Sequence, residues 1–390
     1  MVKRISSYLS DEPEGTPERL PSNKRLAYQG SIVLGMGFTL EPEEARRLIE
    51  SDPRNADVLF PYLNGKELNT DPQQQASRWV INFWDWPEKK AREYEDCFRI
   101  VEQKVKPERQ EKKPDGSYKK RKPLPQKWWI YADKRPALYH AIGRGHSFEK
   151  HPREWSPDTK PVEHVLVKGR VSKHHAIAIV ENVSIFAERL VVFTKFGFES
   201  FAILQSSIHE IWALRYGSTL ETRPLYTPSD VLETFPLPRG GQRPMRSVGH
   251  RYHDCRCQIM TVSGFGLNEC HNRFHDSTNN DDKIVELREL LCEMDYTICA
   301  AYGWDGIDLE HDFYVQDHLP ENDNVRFTLS NEAKSAVLQK LFELNKAQFE
   351  SESIASSDNR QTPGDLVKKK QPAKRDKSEN QSSQIVFFDD

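Results

Sequence analysis

The chain has 390 residues, of which 37% are hydrophobic, 10% aromatic and 29% charged, with a formal net charge of -3. That length holds about two or three domains with cores of their own, and so balanced a charge excludes a uniformly basic nucleic-acid coat, leaving only local patches for such contacts. No run of about 18 apolar residues occurs, so no membrane span is expected, and six cysteines with no apolar N-terminal segment before them fit a reducing cytoplasm.

Residues 1–29 are rich in Asp, Glu, Pro, Ser and Lys without apolar periodicity, and are expected to be a linker or a truncated end. A β-compatible run, SIVLGMGFTL, follows from Ser31. Its glycines Gly35 and Gly37 lack the third glycine and the immediate helix of a dinucleotide loop, and read as a bend in a strand. Pro42 opens a short helix reaching Glu50, and Asn64-Gly65 marks a turn. In RWVINFWDWP the alternation through Trp79, Ile81 and Phe83 predicts a strand, with Asp85 at its end as a cap for a helix running from Glu88 to Val105.

The stretch Lys104–Lys122 is strongly basic and folds back at Pro114-Asp115-Gly116. Trp128, Trp129, Tyr131, Lys134 and Arg135 follow, so mobile cations lie beside flat rings. That combination suits a phosphate backbone, and equally a solvated hairpin tip beside a core tryptophan pair. Residues 143–161 are an irregular insertion. Two strands, Val165–Arg170 and Ala176–Val180, flank a connection carrying Lys173, His174 and His175, side chains able to meet base edges. A further strand spans Leu190–Phe193.

Phe201, Leu204, Ile208, Ile211, Trp212 and Arg215 recur at helical spacing up to Gly217. A polar loop with Ser218, Thr219, Thr222, Arg223, Tyr226, Thr227 and Ser229 comes next, equipped to touch a polar partner or to cap its own turns. Cys255, Cys257, Cys270, His271 and His275 are zinc-type ligands, but one intervening residue between Cys255 and Cys257 is awkward for tetrahedral ligation. Beyond a Gly/Arg/Pro link at 239–246, the stripe Ile284, Leu287, Leu291, Met294 and Ile298 predicts a helix. A second helix is expected over 331–349, as helical packing without chemistry. Residues 351–390 read as a disordered tail.

The ordered segments GSIVLGMGFTL, NADVLFPYLNGKELN, RWVINFWDWP, VKPER, WWIYADKRPALY, VLVKGRVSKHHAIAIV, QSSIHEIWALRYGSTLETRPLYTPSDVLETFPLP and MDYTICAAYGWDGIDL resemble the C-terminal region of MmeI-like, type IIL restriction-modification enzymes and related single-chain adenine-specific DNA methyltransferases of phage-defence systems. The resemblance runs from Gly30 to Leu344. It implies an α+β fold, with a mixed-sheet DNA target-recognition domain over 30–238, a helical segment over 239–350 and the tail after it. It also implies sequence-specific recognition of duplex DNA. The family's Asn-Pro-Pro-Tyr or Asp-Pro-Pro-Tyr motif is missing, and Thr227-Pro228-Ser229-Asp230 is no substitute. The glycine-rich cofactor motif and the nuclease metal site are missing as well.

The expectation is therefore DNA recognition without catalysis by this chain alone, with no metal or cofactor bound to it. S-adenosylmethionine is expected only in an adenine methyltransferase subunit or domain acting as partner. Lys112, Lys113, Lys120, Arg121 and Arg135 are the expected phosphate contacts, and Lys173, His174, His175, Arg215, Tyr216, Arg223 and Tyr226 the expected base readers. Two alternatives stand beside this reading: a complete DNA-modifying enzyme with an unusual site, and a docking or non-functional fragment of a split methylase.

Overall fold

The computed structural model describes residues 15–358 apart from 221, 222 and 318. Among these, the chain forms β1 (Ala27–Gln29), β2 (Thr39–Leu40), β3 (Leu59–Leu63), β4 (Arg78–Ile81), β5 (His164–Gly169), β6 (Ile177–Glu181), β7 (Ile185–Phe186) and β8 (Leu190–Phe193). Two later hairpins pair β9 (Ser218–Leu220) with β10 (Arg223–Leu225) and β11 (Asp312–Val315) with β12 (Val325–Thr328). One four-stranded sheet runs β1-β8-β5-β6, antiparallel throughout. The other runs β2-β4-β3-β7 with a parallel β3/β7 pair, so the fold is α+β with a mixed sheet.

Residues 15–29, expected as a linker, are built into this core. Leu20 is buried, Asn23 Nδ2 donates to the carbonyls of Leu232 and Phe235, and β1 pairs with β8 through Tyr28 and Val192. Burial here rests on a few anchors rather than a periodic stripe, which is why composition concealed it. The run after Gly30 makes only isolated bridges at Ser31 and Ile32 before a 3-10 turn at Met36–Phe38, instead of a bent strand. Asn64 caps a short helix, Gly65–Thr70, by accepting from the Gly65 amide.

RWVINFWDWP is a strand only as far as Ile81, because Trp84 turns left-handed at φ 50°. The turn drives its ring inward, where it meets Phe60, Tyr139 and Phe148 edge-on at 5.1–5.4 Å. Each such pair adds about 0.5–1.5 kcal/mol beyond burial itself. Asp85 caps no helix. Its two carboxylate oxygens accept from the amides of Glu149 and Lys150 and so pin the irregular insertion. Trp128 and Trp129 are buried at 3% and 8% exposure, so they belong to this aromatic core and are not free rings beside the cations. The single helix expected from Glu88 is broken into Glu88–Ala91, Glu95–Lys104 and Lys106–Arg109.

The helical half begins at Gln242–Ser263, which packs against Phe198–Gln205 and Asp282–Ala301. Gly249 allows the first of these to approach, since a Cβ there would lie 2.3 Å from the Phe198 carbonyl. The last helix, Asn331–Asp358, takes in 351–358, which composition alone places in the tail; residues 359–390 lie outside the described ones.

One buried carboxylate ties the helical half to helix Ser207–Tyr216 and also holds a buried ion pair. Asp295, on helix Asp282–Ala301, accepts from the Ser207 amide with Oδ1 at 2.9 Å and from His311 Nε2 with Oδ2 at 2.9 Å. Burial opposes charge on His311, but the Asp295 bond, aided by Cys292, outweighs it and raises the imidazole to about 10. Its stabilisation is therefore complete below about pH 6.5 and is lost as pH rises from there through 10. Asp295→Asn is expected to cost roughly 3–5 kcal/mol in urea unfolding and to flatten the stability profile across that interval. A slope unchanged by the substitution would assign the pH dependence elsewhere.

Candidate functional site

Four segments far apart in sequence enclose a cleft of about 430 Å³. They are the β5–β6 connection, the end of helix Ser207–Tyr216 with the β9–β10 hairpin, the β11–β12 hairpin, and the start of helix Asn331–Asp358. Gly217 makes the second wall possible. A side chain there would lie 2.3 Å from the Ala213 carbonyl, so only glycine lets the chain turn from helix straight into β9.

The β5–β6 connection is stitched by its own strand. Lys168, buried on β5, donates to Ser172 Oγ and the His174 carbonyl, and Ser172 Oγ donates to the same carbonyl at 2.7 Å. Burial lowers Lys168 to about 8 against the opposing pull of Glu210, and raises Glu210 to about 7 against Lys168 and Lys334. The floor thus holds an ammonium and a carboxyl, both desolvated. Arg326, Lys334 and Arg215 also line the cleft, which makes it cationic on balance.

The expected base readers converge here, but not equally. Lys173 stands at the exposed rim, held by Asn272 Oδ1 at 2.8 Å and Asp323 at 2.7 Å. His174 turns inward at 4% exposure; its Nε2 donates to Asn272 Oδ1, and its ring stacks 5.3 Å from His275. His175 Nε2 donates to the Leu204 carbonyl. Tyr226, 3% exposed, is hydrogen-bonded through its hydroxyl to His209 Nε2. The Tyr216 ring packs between Trp212 and Phe342, with the Arg215 guanidinium 5.6 Å from its centroid. His174 and Tyr226 therefore build the walls, Tyr216 packs behind them without lining the cleft, and Lys173 and the exposed Ser218 and Thr219 face outward. The Arg223 backbone lies in β10; its side chain is outside the described residues.

Burial holds His174 down to about 4 and pushes His175, His271 and His275 well below the usual imidazole range. These rings stay neutral at ordinary pH, so they act as fixed donors and acceptors rather than proton carriers. The contribution of the β11–β12 hairpin was missed in the sequence. Its signal is the alternation in FYV and VRFT on either side of a turn-forming DHLPENDN.

The cationic segment is a separate ribbon, closed by a bridge between Lys112 and Tyr118 around Gly116 at φ 82°. Lys113 and Arg121 are exposed, Lys112 lies 5.6 Å from the Tyr118 ring centroid, and Lys120 pairs with Glu108 at 3.0 Å. Arg135 is engaged inside the fold, with Asp133, Gln29 Oε1 and the Gly30 carbonyl.

The Gly35–Gly37 loop does not fit S-adenosylmethionine. Its carbonyls at Val33 and Leu34 are occupied by Arg109, and Gly37 is pressed against Lys104 and Val105, with 2.6 Å from a Cβ position to Lys104 Cβ. Cys255 and Cys257 lie two residues apart on one helix and so point about 200° apart. Among the described residues no group of three or more His, Cys, Asp or Glu side chains is placed to hold a metal ion.

The fold is similar to that of the type IIL restriction-modification enzyme MmeI, solved in complex with DNA, with a TM-score of 0.57 and 14% identity. The similarity covers 89% of this chain and 39% of MmeI, so the chain spans well under half the length of that enzyme. No protein-family model matches the sequence, and no curated protein matches it.

The depressed imidazoles make a pH prediction. A histidine near 4 in the fold and about 6.5 unfolded contributes stability that is present above pH 6.5 and lost as pH falls towards 4. His174→Gln, which keeps a donor for Asn272, is expected to make the urea midpoint fall less steeply over that interval. An unaltered slope would remove His174 from the account.

Proposed function

We propose that this chain recognises a specific sequence in duplex DNA as the target-recognition part of a site-specific adenine methyltransferase or restriction-modification system. The observation that carries the reading is the convergence on one cationic cleft of Lys173, His174, His175, Arg215 and Tyr226, brought together from segments up to about fifty residues apart. The likeness to a DNA-bound restriction-modification enzyme supports it.

The division of labour follows from mobility and burial. Lys113 and Arg121 of the 112–121 ribbon are exposed and able to follow phosphates, fixing position without reading sequence, while Lys119 and Lys120 are held by Glu111 and Glu108. The cleft rim offers donors and acceptors of fixed orientation, because neutral buried histidines and the Lys168-stitched connection hold it rigid; this is what base-edge discrimination requires. Methyl transfer is assigned to an adenine methyltransferase domain or subunit, which holds S-adenosylmethionine. No step of it is assigned to the residues described above.

Selection of the purified chain against a randomised duplex pool, with salt varied, tests the reading: an enriched motif is expected, and no enrichment at any salt concentration would overturn it. Reversing charge at Lys112, Lys113 and Arg121 together is expected to lower affinity for every sequence and to reduce the salt slope by about one for each phosphate left without its cation. Lys173→Ala is expected instead to change which sequences are enriched. Affinity and slope unmoved by the triple reversal would exclude the ribbon from binding.

A further inference from the structure

Leu34 and Met36 are 44% and 71% exposed, an apolar pair presented side by side on a three-residue tip. The backbone beneath them is not loose. Leu34 adopts φ 47°, unusual for a branched side chain, and Gly35 sits at φ 139°. Arg109, wholly buried, donates through Nη2 to the carbonyls of Val33 and Leu34 at 2.9 and 2.8 Å, while Thr39 Oγ1 donates to the Met36 carbonyl at 2.7 Å. Gly37 is wedged against Lys104 and Val105. The tip is therefore clamped from both ends, with two apolar side chains held in solvent. Exposed apolar groups on a rigid support mark an interaction surface.

The surroundings identify the partner. Arg109 leads directly into the cationic ribbon, and the stretch Lys104–Lys122 carries nine basic residues against three acidic ones. Glu108 approaches the tip, 3.7 Å from a Cβ position on Gly35, and its other oxygen pairs with Lys120 of the ribbon at 3.0 Å. One apolar pair is small for a protein interface, but beside a ribbon that carries the exposed cations Lys113 and Arg121 it has the composition of a device that grips phosphates and pushes an apolar side chain between base pairs.

We propose that the Leu34-Gly35-Met36 tip is a wedge that enters a base step of duplex DNA beside the phosphates held by the cationic ribbon. This rests on the DNA-binding reading above and adds to it a second mode of grip, made by shape rather than by base-edge hydrogen bonds. The step is opened by partial unstacking, so the site favours pyrimidine–purine steps, which unstack most easily. It bends the duplex at that point.

The test compares an intact duplex with the same duplex carrying a one-nucleotide bulge at the step, where stacking is already broken. The full chain is expected to bind the bulged duplex about tenfold more tightly, and to bring together fluorophores at the ends of the intact one. The double variant Leu34→Asn/Met36→Ser is expected to bind both duplexes equally and leave the intact one straight. Asn tolerates the left-handed backbone. Circular dichroism establishes that the variant is folded, and Met36→Ser alone serves if the double variant is not. A wild-type chain that binds both duplexes with equal affinity overturns the wedge but leaves DNA recognition standing; one that binds neither overturns both. A tip substitution that abolishes binding to poly-glutamate and leaves DNA binding unchanged would overturn the wedge and assign the tip to an acidic protein.

Discussion

The fold depends on buried guanidinium groups bonded to main-chain carbonyls. A buried carbonyl without a partner costs about 1–3 kcal/mol, and this chain brings many irregular segments into its interior, where no strand or helix can satisfy them. Arg109 donates to four carbonyls, at Val33, Leu34, Trp128 and Ile130. Arg288 serves Phe274, Arg273, Asp276 and Asn279, Arg144 serves Ser184, and Arg256 joins the Ile177 carbonyl to the Gln205 side chain. Burial depresses Arg109 to about 10 and lowers Arg144 and Arg288, yet each keeps its charge at neutral pH. A planar fork with five N–H groups can close several loops at once, which an ammonium cannot.

This explains what was legible in the sequence. Elements set by periodicity were: the strands around Val167 and Val192, the helix through Leu287 and Met294, and the turn at Asp115-Gly116 all follow from local pattern. Elements set by long-range satisfaction were not. Nothing local marks Arg109, midway through a basic run, as a core residue, or Asp85 as the anchor of a loop more than sixty residues later. Arg135 reads as a surface cation for the same reason. Charge predicts solvent exposure only when no carbonyls wait inside.

The cleft shows the same division. Residue type drew attention to Lys173, His174, His175, Arg215 and Tyr226, and the fold does bring them together. Polarity alone did not distinguish side chains that face outward from those that hold the wall. His174 and Tyr226 are polar because the interior there is polar: the Asn272 amide, the His209 ring and the Leu204 carbonyl make a hydrogen-bonded layer beneath the rim. Such a layer fixes geometry by holding the His174 and His175 rings as donors through Nε2 and the Tyr226 hydroxyl against the His209 ring.

The far wall of the cleft has a different architecture. The β11–β12 ribbon pairs with no other strand among the described residues, and β12 leads within three residues into helix Asn331–Asp358. Residues can be inserted or deleted between Gln316 and Asn324 without shifting the register of either four-stranded sheet, whereas a one-residue insertion in β5 ahead of Lys168 would carry that side chain to the opposite face. The cleft can therefore be widened, narrowed or recharged by changes in loop length along one edge while its floor stays constant.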